Sequence, residues 1–245
     1  MKWIEIGSGE EAIAYKGALK SLNLLEIDQS LDEGRIVVKR VNHSCVESSQ
    51  GHDVFCRHLA IGILEDYFIG CKDYSEKHIP CVLNSFNNGE SCGYYYEFVE
   101  GSEGWPTEVN IEEQRVFSNK MNNFGIDLWH DTCFVDDARI GKNVIFKPWN
   151  TNEVYNTDNS GHYQGLHKFW KRIDFGSCSC KFDYEKFRDK LYENRDNMKK
   201  VLGRETYRIL ELAGKYGDYT YRQTMSDVEV LELGRDVLHG RGWKG

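Results

Sequence analysis

The stretch Phe169-Trp170-Lys171-Arg172-Ile173-Asp174-Phe175-Gly176 decides the fold that this sequence predicts. Its residues up to Ile173 form a strand-like segment with an apolar end, and Asp174 and Gly176 then mark a turn. An aspartate that leaves a strand in this way often does no more than cap backbone N–H groups. The stretch therefore gains its meaning from the motifs that precede it and from their order along the chain.

The sequence opens with a short predicted strand and a glycine-rich stretch. Trp3-Ile4-Glu5-Ile6 is the strand, and Gly7-Ser8-Gly9-Glu10-Glu11-Ala12 follows it directly. Because glycine has no Cβ, the backbone N–H groups of Gly7, Ser8 and Gly9 can approach phosphate oxygens closely and point at them. A flexible turn between two strands is the alternative interpretation of this loop taken alone.

A second motif is a lysine in a β-branched run. Arg35-Ile36-Val37-Val38-Lys39-Arg40-Val41 predicts a strand. The ammonium group of Lys39 stands on a flexible stem and suits a bridge between two phosphates, while the strand fixes the base of the stem. Taken alone, an exposed strand lysine that discourages edge pairing explains the same residue. The apolar pattern of residues 51–70 then predicts a helix that is buried on one broad face.

In this order the motifs resemble those of the protein-kinase-like superfamily, in the form of a compact kinase or small-molecule phosphotransferase of the kind that phages and viruses encode. The resemblance implies that the glycine-rich stretch covers the phosphates of ATP and that Lys39 positions the nucleotide. It also implies that a carboxylate from the following helix holds this lysine. Glu65, near the end of that helix, is the candidate, and Glu47 is the alternative.

The next motif is an aromatic strand, Tyr94-Tyr95-Tyr96-Glu97-Phe98-Val99-Glu100-Gly101. The resemblance implies that this strand leads into the hinge between two kinase lobes, where backbone groups from Glu97 to Val99 bind adenine. A buried aromatic strand that ends in a turn accounts for the same composition. The position of the stretch in the chain favours the hinge.

The predicted catalytic loop follows a helix-like stretch from Ile111 to Phe124. The resemblance aligns Asp127 with the aspartate that accepts or orients the acceptor hydroxyl, and it assigns Asp174 to Mg²⁺. This alignment places a predicted strand, Cys133-Phe134-Val135, after the loop. Gly125-Ile126 then stands where the family carries histidine and arginine.

The second predicted magnesium ligand is Thr132. It follows Asp127 by five residues, at the place where the family has an asparagine that helps to hold the metal. A threonine hydroxyl is a neutral oxygen ligand, as a side-chain amide is, but it stands on a shorter side chain and is a weaker ligand for Mg²⁺. His130 and Asp131 are the alternatives, and the sequence does not choose between them.

The predicted fold class is α+β, with the two lobes of a kinase. Residues 1–100 form a strand-rich, nucleotide-binding N-lobe, and residues 101–245 form a reduced, mainly helical C-lobe with the catalytic loop and the metal-binding turn. Residues 147–165 are predicted as an insertion before the strand that carries Asp174. Two charged stretches with recurring apolar residues, 184–202 and 205–216, are predicted as surface helices.

Composition limits the partners and the location. The net charge of −8 argues against nucleic acid and is compatible with a cationic acceptor or a basic protein. No apolar run is long enough for a bilayer, and the first predicted strand begins too early for a signal peptide, so we expect a cytoplasmic protein with no membrane partner. The eight cysteines are then expected to be reduced, and their spacing does not predict a zinc site.

Three hypotheses of function follow. The leading one is an ATP-dependent phosphotransferase that uses Mg²⁺ and transfers the γ-phosphate to a hydroxyl of a protein or small molecule. The alternative is a pseudokinase, a nucleotide-binding or protein-interaction module, which the departures at Ala12, Thr132 and Gly125-Ile126 favour. The third is an α+β interaction protein whose motif matches are accidental.

Overall fold

The fold is mixed α and β, which confirms the predicted class. The computed structural model describes residues 4–8, 12–18, 35–41, 50–69, 77–87, 92–99, 108–128, 144–148, 168–173, 175, 180–218 and 233. Within these ranges there are nine strands and five helices. The arrangement as two kinase-like lobes stays a prediction.

The N-terminal half is built on an antiparallel five-stranded sheet with the order β1-β2-β3-β5-β4. β3 lies between β2 and β5, which explains why its β-branched run is buried at Val37 and Val38. The predicted strand over residues 35–41 is confirmed residue for residue. The strands are β1 (Ile4–Ser8), β2 (Ala12–Ala18), β3 (Arg35–Val41), β4 (Val82–Asn87) and β5 (Cys92–Glu97).

A long helix, α1 (Gln50–Ile69), connects β3 to β4, so the helix predicted over residues 51–70 is confirmed. It packs against β4 and β5 on one side and against the C-terminal helices on the other. The predicted burial on one broad face is wrong, because residues 52–65 are all buried, and burial on both sides explains why the apolar residues spread around the helix.

The apolar stretch Ile79-Pro80-Cys81-Val82-Leu83 predicts a strand, but β4 begins only at Val82. The backbone N–H groups that a strand would use have other acceptors here. Those of His78 and Ile79 donate to the carboxylate of Glu65, at 2.5 and 3.0 Å, and that of Cys81 donates to Glu97. Pro80 has no N–H to donate. Side-chain acceptors therefore hold this segment as a bend.

Two short strand pairs lie in the second half of the chain. They follow α2 (Glu108–Asn123), which starts three residues before the predicted helix. The predicted insertion over residues 147–165 begins inside a strand, since residues 147 and 148 are the last two of the strand Val144–Pro148. The predicted strand over residues 133–135 lies outside the described residues. The pairs are β6 (Ile126–Asp127) with β9 (Lys181–Phe182), and β7 (Val144–Pro148) with β8 (Lys168–Arg172).

Gly125 joins α2 to β6 in a way that only glycine permits. Its φ is +76°, and a Cβ added there would lie 2.7 Å from the carbonyl oxygen of Asp183. The N–H of Asp183 donates to the carbonyl of Gly125 at 2.8 Å. Gly125, which stands where the resemblance would place a histidine, is therefore glycine because its positive φ and the close approach of Asp183 exclude a Cβ.

Three helices follow β9: α3 (Tyr184–Glu193), α4 (Arg195–Leu202) and α5 (Arg204–Gly217). The helical stretch predicted over residues 184–202 is confirmed, with a break at Asn194, whose side-chain amide donates to the carbonyl of Lys190 at 2.9 Å. The helices are amphipathic, and they bury one face through residues such as Phe187, Met198 and Leu210.

Gly214 is where α5 touches α3 most closely. A Cβ added at Gly214 would lie 2.0 Å from the ring of Phe187, whose side chain is fully buried. Gly214→Ala is therefore expected to lower the free energy of unfolding by about 1–3 kcal/mol through overpacking, although alanine is otherwise the better helix former. Urea unfolding measures this.

A matched control for Gly214→Ala is Arg208→Ala in the same helix. Arg208 is exposed and forms an ion pair with the exposed Glu205, so its loss should change the stability by no more than about 0.5 kcal/mol. A stabilising Gly214→Ala would contradict the close packing of α3 and α5.

One hydrophobic core joins these elements. The buried residues form a single cluster that extends from Val37 of β3 through α1 to Phe187 of α3 and Leu210 of α5. The core thus crosses the predicted lobe boundary near residue 100. None of the helices in the described part of the chain is both long and apolar enough to span a bilayer.

Candidate functional site

The sheet register fixes the direction of Lys39. Lys39 pairs with Ala14 of β2 and with Tyr94 of β5, and Tyr94 pairs with Ser85 of β4. Residues that face each other across antiparallel strands share one face of the sheet. His52 of α1 hydrogen-bonds the Ser85 hydroxyl at 2.7 Å, so this is the face that α1 covers. Lys39 therefore lies on the α1 side of the sheet.

His58 connects this face to the stretch that carries the predicted metal ligand. Its ring packs edge-on to Tyr94, with centroids 6.0 Å apart, and lies 4.3 Å from the ring of Phe175. Its Nε2 is 2.6 Å from the carbonyl oxygen of Pro80. Phe175 is fully buried and follows Asp174 in the sequence. The segment after β8 thus packs in the same part of the core as Tyr94, the cross-strand neighbour of Lys39.

The preceding residue, Arg57, binds the same segment through its guanidinium. Nη1 donates to the carbonyls of Phe175 and Cys180, at 3.4 and 3.2 Å. Nη2 forms an ion pair with Asp53 at 3.3 Å, one helical turn earlier. Burial raises the pKa of Asp53, and the charge of Arg57 acts against this rise. Burial likewise raises the pKa of the Cys56 thiol between them.

Asp127 lies in β6, where it faces Lys181 of β9 in the ladder. Its side chain is half-buried. The next residue, Leu128, is buried, and its carbonyl accepts a hydrogen bond from Nη2 of Arg172 on β8 at 2.5 Å. The end of β6 is thereby tied to the strand that leads to Asp174. Each of the two arginines thus binds the carbonyl of a residue that follows a predicted site residue in the sequence: Arg57 binds that of Phe175, after Asp174, and Arg172 binds that of Leu128, after Asp127.

The predicted hinge is the end of β5. The Glu97 carboxylate accepts from the N–H of Cys81 at 3.1 Å and lies 3.7 Å from Nζ of Lys171 on β8. The Phe98 ring carries Nζ of Lys16, from β2, 3.7 Å above its centre. Val99 is half-buried. The side chain of Glu97 thus connects the sheet to β8, whereas the prediction concerned its backbone.

Three other predicted residues lie in the described part of the chain. Glu65 is fully buried, and both carboxylate oxygens accept backbone N–H groups of His78 and Ile79. Its pairing with Lys39 stays a prediction. Gly7 pairs with Ala14, which in turn pairs with Lys39. A Cβ added to Gly7 would meet no described atom within 4 Å. Ser8 ends β1.

The remaining predicted residues lie outside the described residues. The described ranges contain no group of three or more His, Cys, Asp or Glu side chains that could hold a metal ion. A magnesium site formed by the predicted ligands stays a prediction. The residues outside are Gly9, Glu47, His130, Asp131, Thr132 and Asp174.

Sequence reasoning missed the residues that organise this region: Asp53, Arg57, His58 and Arg172. One signal was available for the first two. An aspartate and an arginine four residues apart, inside an otherwise apolar helix, predict a buried ion pair. The partners of His58 and Arg172 lie far away in the sequence, and no local pattern indicates them.

Comparison with known proteins does not add to this picture. No protein-family model matches the sequence, and a search of curated proteins finds no match. The kinase resemblance therefore depends on the motifs and on where the fold places them.

Proposed function

We propose that this protein is an ATP-dependent phosphotransferase that moves the γ-phosphate of ATP to a hydroxyl of a protein or small molecule. The observation that carries the proposal is the convergence around α1. Lys39 lies on the α1-facing side of the sheet, and Phe175, the neighbour of Asp174, packs on His58 of the same helix. Lys39 and Phe175, 136 positions apart in the sequence, are thus both connected to α1, which supports a nucleotide site on this side of the sheet.

The order of elements supports the same proposal. In protein kinases the phosphate-binding lysine stands on the third strand and a helix follows it. Here Lys39 stands on β3, α1 follows, and the glycine-rich stretch begins at the end of β1. No described atom lies within 4 Å of a Cβ added at Gly7, which suits a ligand that approaches the backbone closely.

The chain's own residues would divide the reaction among them. Lys39 would hold the α- and β-phosphates, and Asp174 with Thr132 would hold Mg²⁺. The metal, when bound, neutralises charge on the phosphates. The acceptor oxygen forms a bond to the γ-phosphorus, the bond from that phosphorus to the bridging oxygen of ADP breaks, and the hydroxyl proton passes to Asp127.

Nucleotide-dependent unfolding tests the proposal. Wild-type protein should be stabilised by ATP with Mg²⁺, by about 2.7 kcal/mol when the ligand is at a hundred times its dissociation constant. Lys39→Met and Asp174→Asn should lose most of this stabilisation. Arg40→Met is the matched control, since Arg40 is the next residue of β3, is exposed and points to the other face. It should keep the wild-type response.

The outcomes separate the candidate functions. Stabilisation that needs Mg²⁺ and Asp174 supports the enzyme, and Thr132→Asn should then raise the hydrolysis of ATP to ADP, with water as the acceptor. Stabilisation without Mg²⁺, and no gain from Thr132→Asn, favours the nucleotide-binding module. No stabilisation by ATP in either condition would overturn the nucleotide-binding proposal and leave the interaction protein.

A further inference from the structure

Arg57 binds both ends of one segment. Its Nη1 donates to the carbonyl of Phe175 and to the carbonyl of Cys180. The two carbonyls belong to residues five positions apart, and the residue before the first of them is Asp174. A single guanidinium nitrogen therefore fixes the entry and the exit of this stretch relative to α1.

The guanidinium is itself held in place. Its other terminal nitrogen binds Asp53, and the side chain of Arg57 is 1% exposed. At the end of α5, Gly217 packs against Arg57 so closely that an added Cβ would lie 3.1 Å from its Cγ. The aliphatic part of the Arg57 side chain thus has little room to move, and its guanidinium is held by the carboxylate of Asp53.

Stability alone does not explain this arginine. Replacing a buried ion pair by apolar residues is often neutral or stabilising, because desolvation of the charges offsets their attraction. The Nε–H of Arg57 is also buried with no hydrogen-bond acceptor among the residues that the structure describes, which is an unfavourable feature. What an arginine offers here is geometry, since its rigid planar fork can bind two carbonyls and a carboxylate at once.

We propose that Arg57, supported by Asp53, is a positioning residue that sets the place of the Asp174 carboxylate for Mg²⁺·ATP. Consecutive Cα atoms are 3.8 Å apart, so fixing Phe175 limits where Asp174 can lie. Arg57 acts through the backbone and does not touch the nucleotide. This inference rests on the proposed function, because it assumes that Asp174 binds the metal of a phosphotransferase site.

The test is the Mg²⁺ concentration at which ATP stabilisation is half complete, measured by thermal unfolding at fixed ATP. Arg57→Lys keeps the charge but loses the fork, and it should raise this midpoint by about 10- to 100-fold, as loss of outer-shell partners of a metal ligand does. Binding of ATP without Mg²⁺ should stay as in the wild type. A purely structural role would lower the melting temperature without moving the midpoint.

Two further variants keep the test decisive. Asp53→Asn removes the ion pair with Nη2 of Arg57 and should raise the Mg²⁺ midpoint, but by less than Arg57→Lys. It replaces Arg57→Lys in the test if that variant does not fold. Arg115→Lys, at an exposed arginine of α2, should leave the midpoint unchanged. Hydrogen exchange of a peptide that covers residues 173–182, measured without ATP, should be faster in Arg57→Lys than in Arg115→Lys.

Failure of the inference differs from failure of the proposed function. If the wild type shows Mg²⁺-dependent stabilisation and folded Arg57→Lys keeps the wild-type midpoint, the positioning role is overturned and the function stands. If the wild type shows no stabilisation, the function falls and the metal-positioning role falls with it. Hydrogen exchange of the peptide that covers residues 173–182 would then still report whether Arg57 holds this part of the backbone.

Discussion

Replacement of Glu65 by leucine should lower the free energy of unfolding by about 2–5 kcal/mol, because two buried backbone N–H groups lose their acceptors at about 1–3 kcal/mol each. Both carboxylate oxygens are used, one by His78 and one by Ile79. Leucine avoids the cost of burying a charge, which offsets part of the loss. Against a total stability of about 5–15 kcal/mol, the change is large. Urea unfolding at constant pH measures it.

Glu65→Gln is the matched variant, since it keeps one carbonyl oxygen and the shape of the side chain. It should lose about half as much stability as Glu65→Leu, because one N–H still finds an acceptor. A leucine variant as stable as the wild type would contradict the role of Glu65 in holding the bend before β4.

The same variant tests the sequence-based role of Glu65. If Glu65 also holds Lys39, as the kinase resemblance implies, Glu65→Gln should weaken ATP binding nearly as much as Lys39→Met. If the carboxylate serves only the bend, the folded Glu65→Gln protein should bind ATP like the wild type. Binding measured below the unfolding transition separates the two roles, because the loss of stability does not enter.

The elements that sequence predicted well are those whose pattern is local. The strand that carries Lys39 follows from its β-branched run, and α1 follows from its length and apolar content. β5 was likewise predicted from its aromatic residues. In each case the residues that decide the element lie within the element itself.

The elements that sequence predicted poorly depend on distant groups. β4 begins late because Glu65 and Glu97 supply acceptors from other elements. The contacts that organise the candidate site, such as that of Arg57 with Cys180, join residues 123 positions apart. Hydrophobic periodicity does not encode which side chain meets which carbonyl across the core, so these long-range contacts could not be predicted, even though the spacing of Asp53 and Arg57 indicates their ion pair.

Trp170→Ala should also have a large effect, about 3–5 kcal/mol, as expected for removing a fully buried aromatic side chain. Trp170 is 2% exposed and stacks on His78 with ring centroids 3.9 Å apart. It also meets Phe117 of α2 edge-on, and its indole N–H donates to Glu113 at 3.2 Å. One side chain thus joins the segment before β4, α2 and β8.

Two variants divide the effect of Trp170 into its parts. Trp170→Phe keeps an aromatic ring against His78 but loses the indole N–H and some volume, and it should cost about 1–2 kcal/mol. Glu113→Gln keeps a neutral acceptor for the indole and should cost less than about 1 kcal/mol. Urea unfolding of the three variants gives the comparison, and a Trp170→Ala protein that loses less than Trp170→Phe would contradict the packing described.

The loss of Trp170 should also reach the candidate site. His78, on which Trp170 stacks, is one of the two residues that Glu65 holds, and the N–H of Arg172, two residues after Trp170, donates to the carbonyl of His78. β8 leads directly to Asp174. We therefore expect folded Trp170→Phe to respond more weakly to ATP with Mg²⁺ than an equally destabilised Gly214→Ala, because Gly214 lies in α5 and packs against Phe187 of α3.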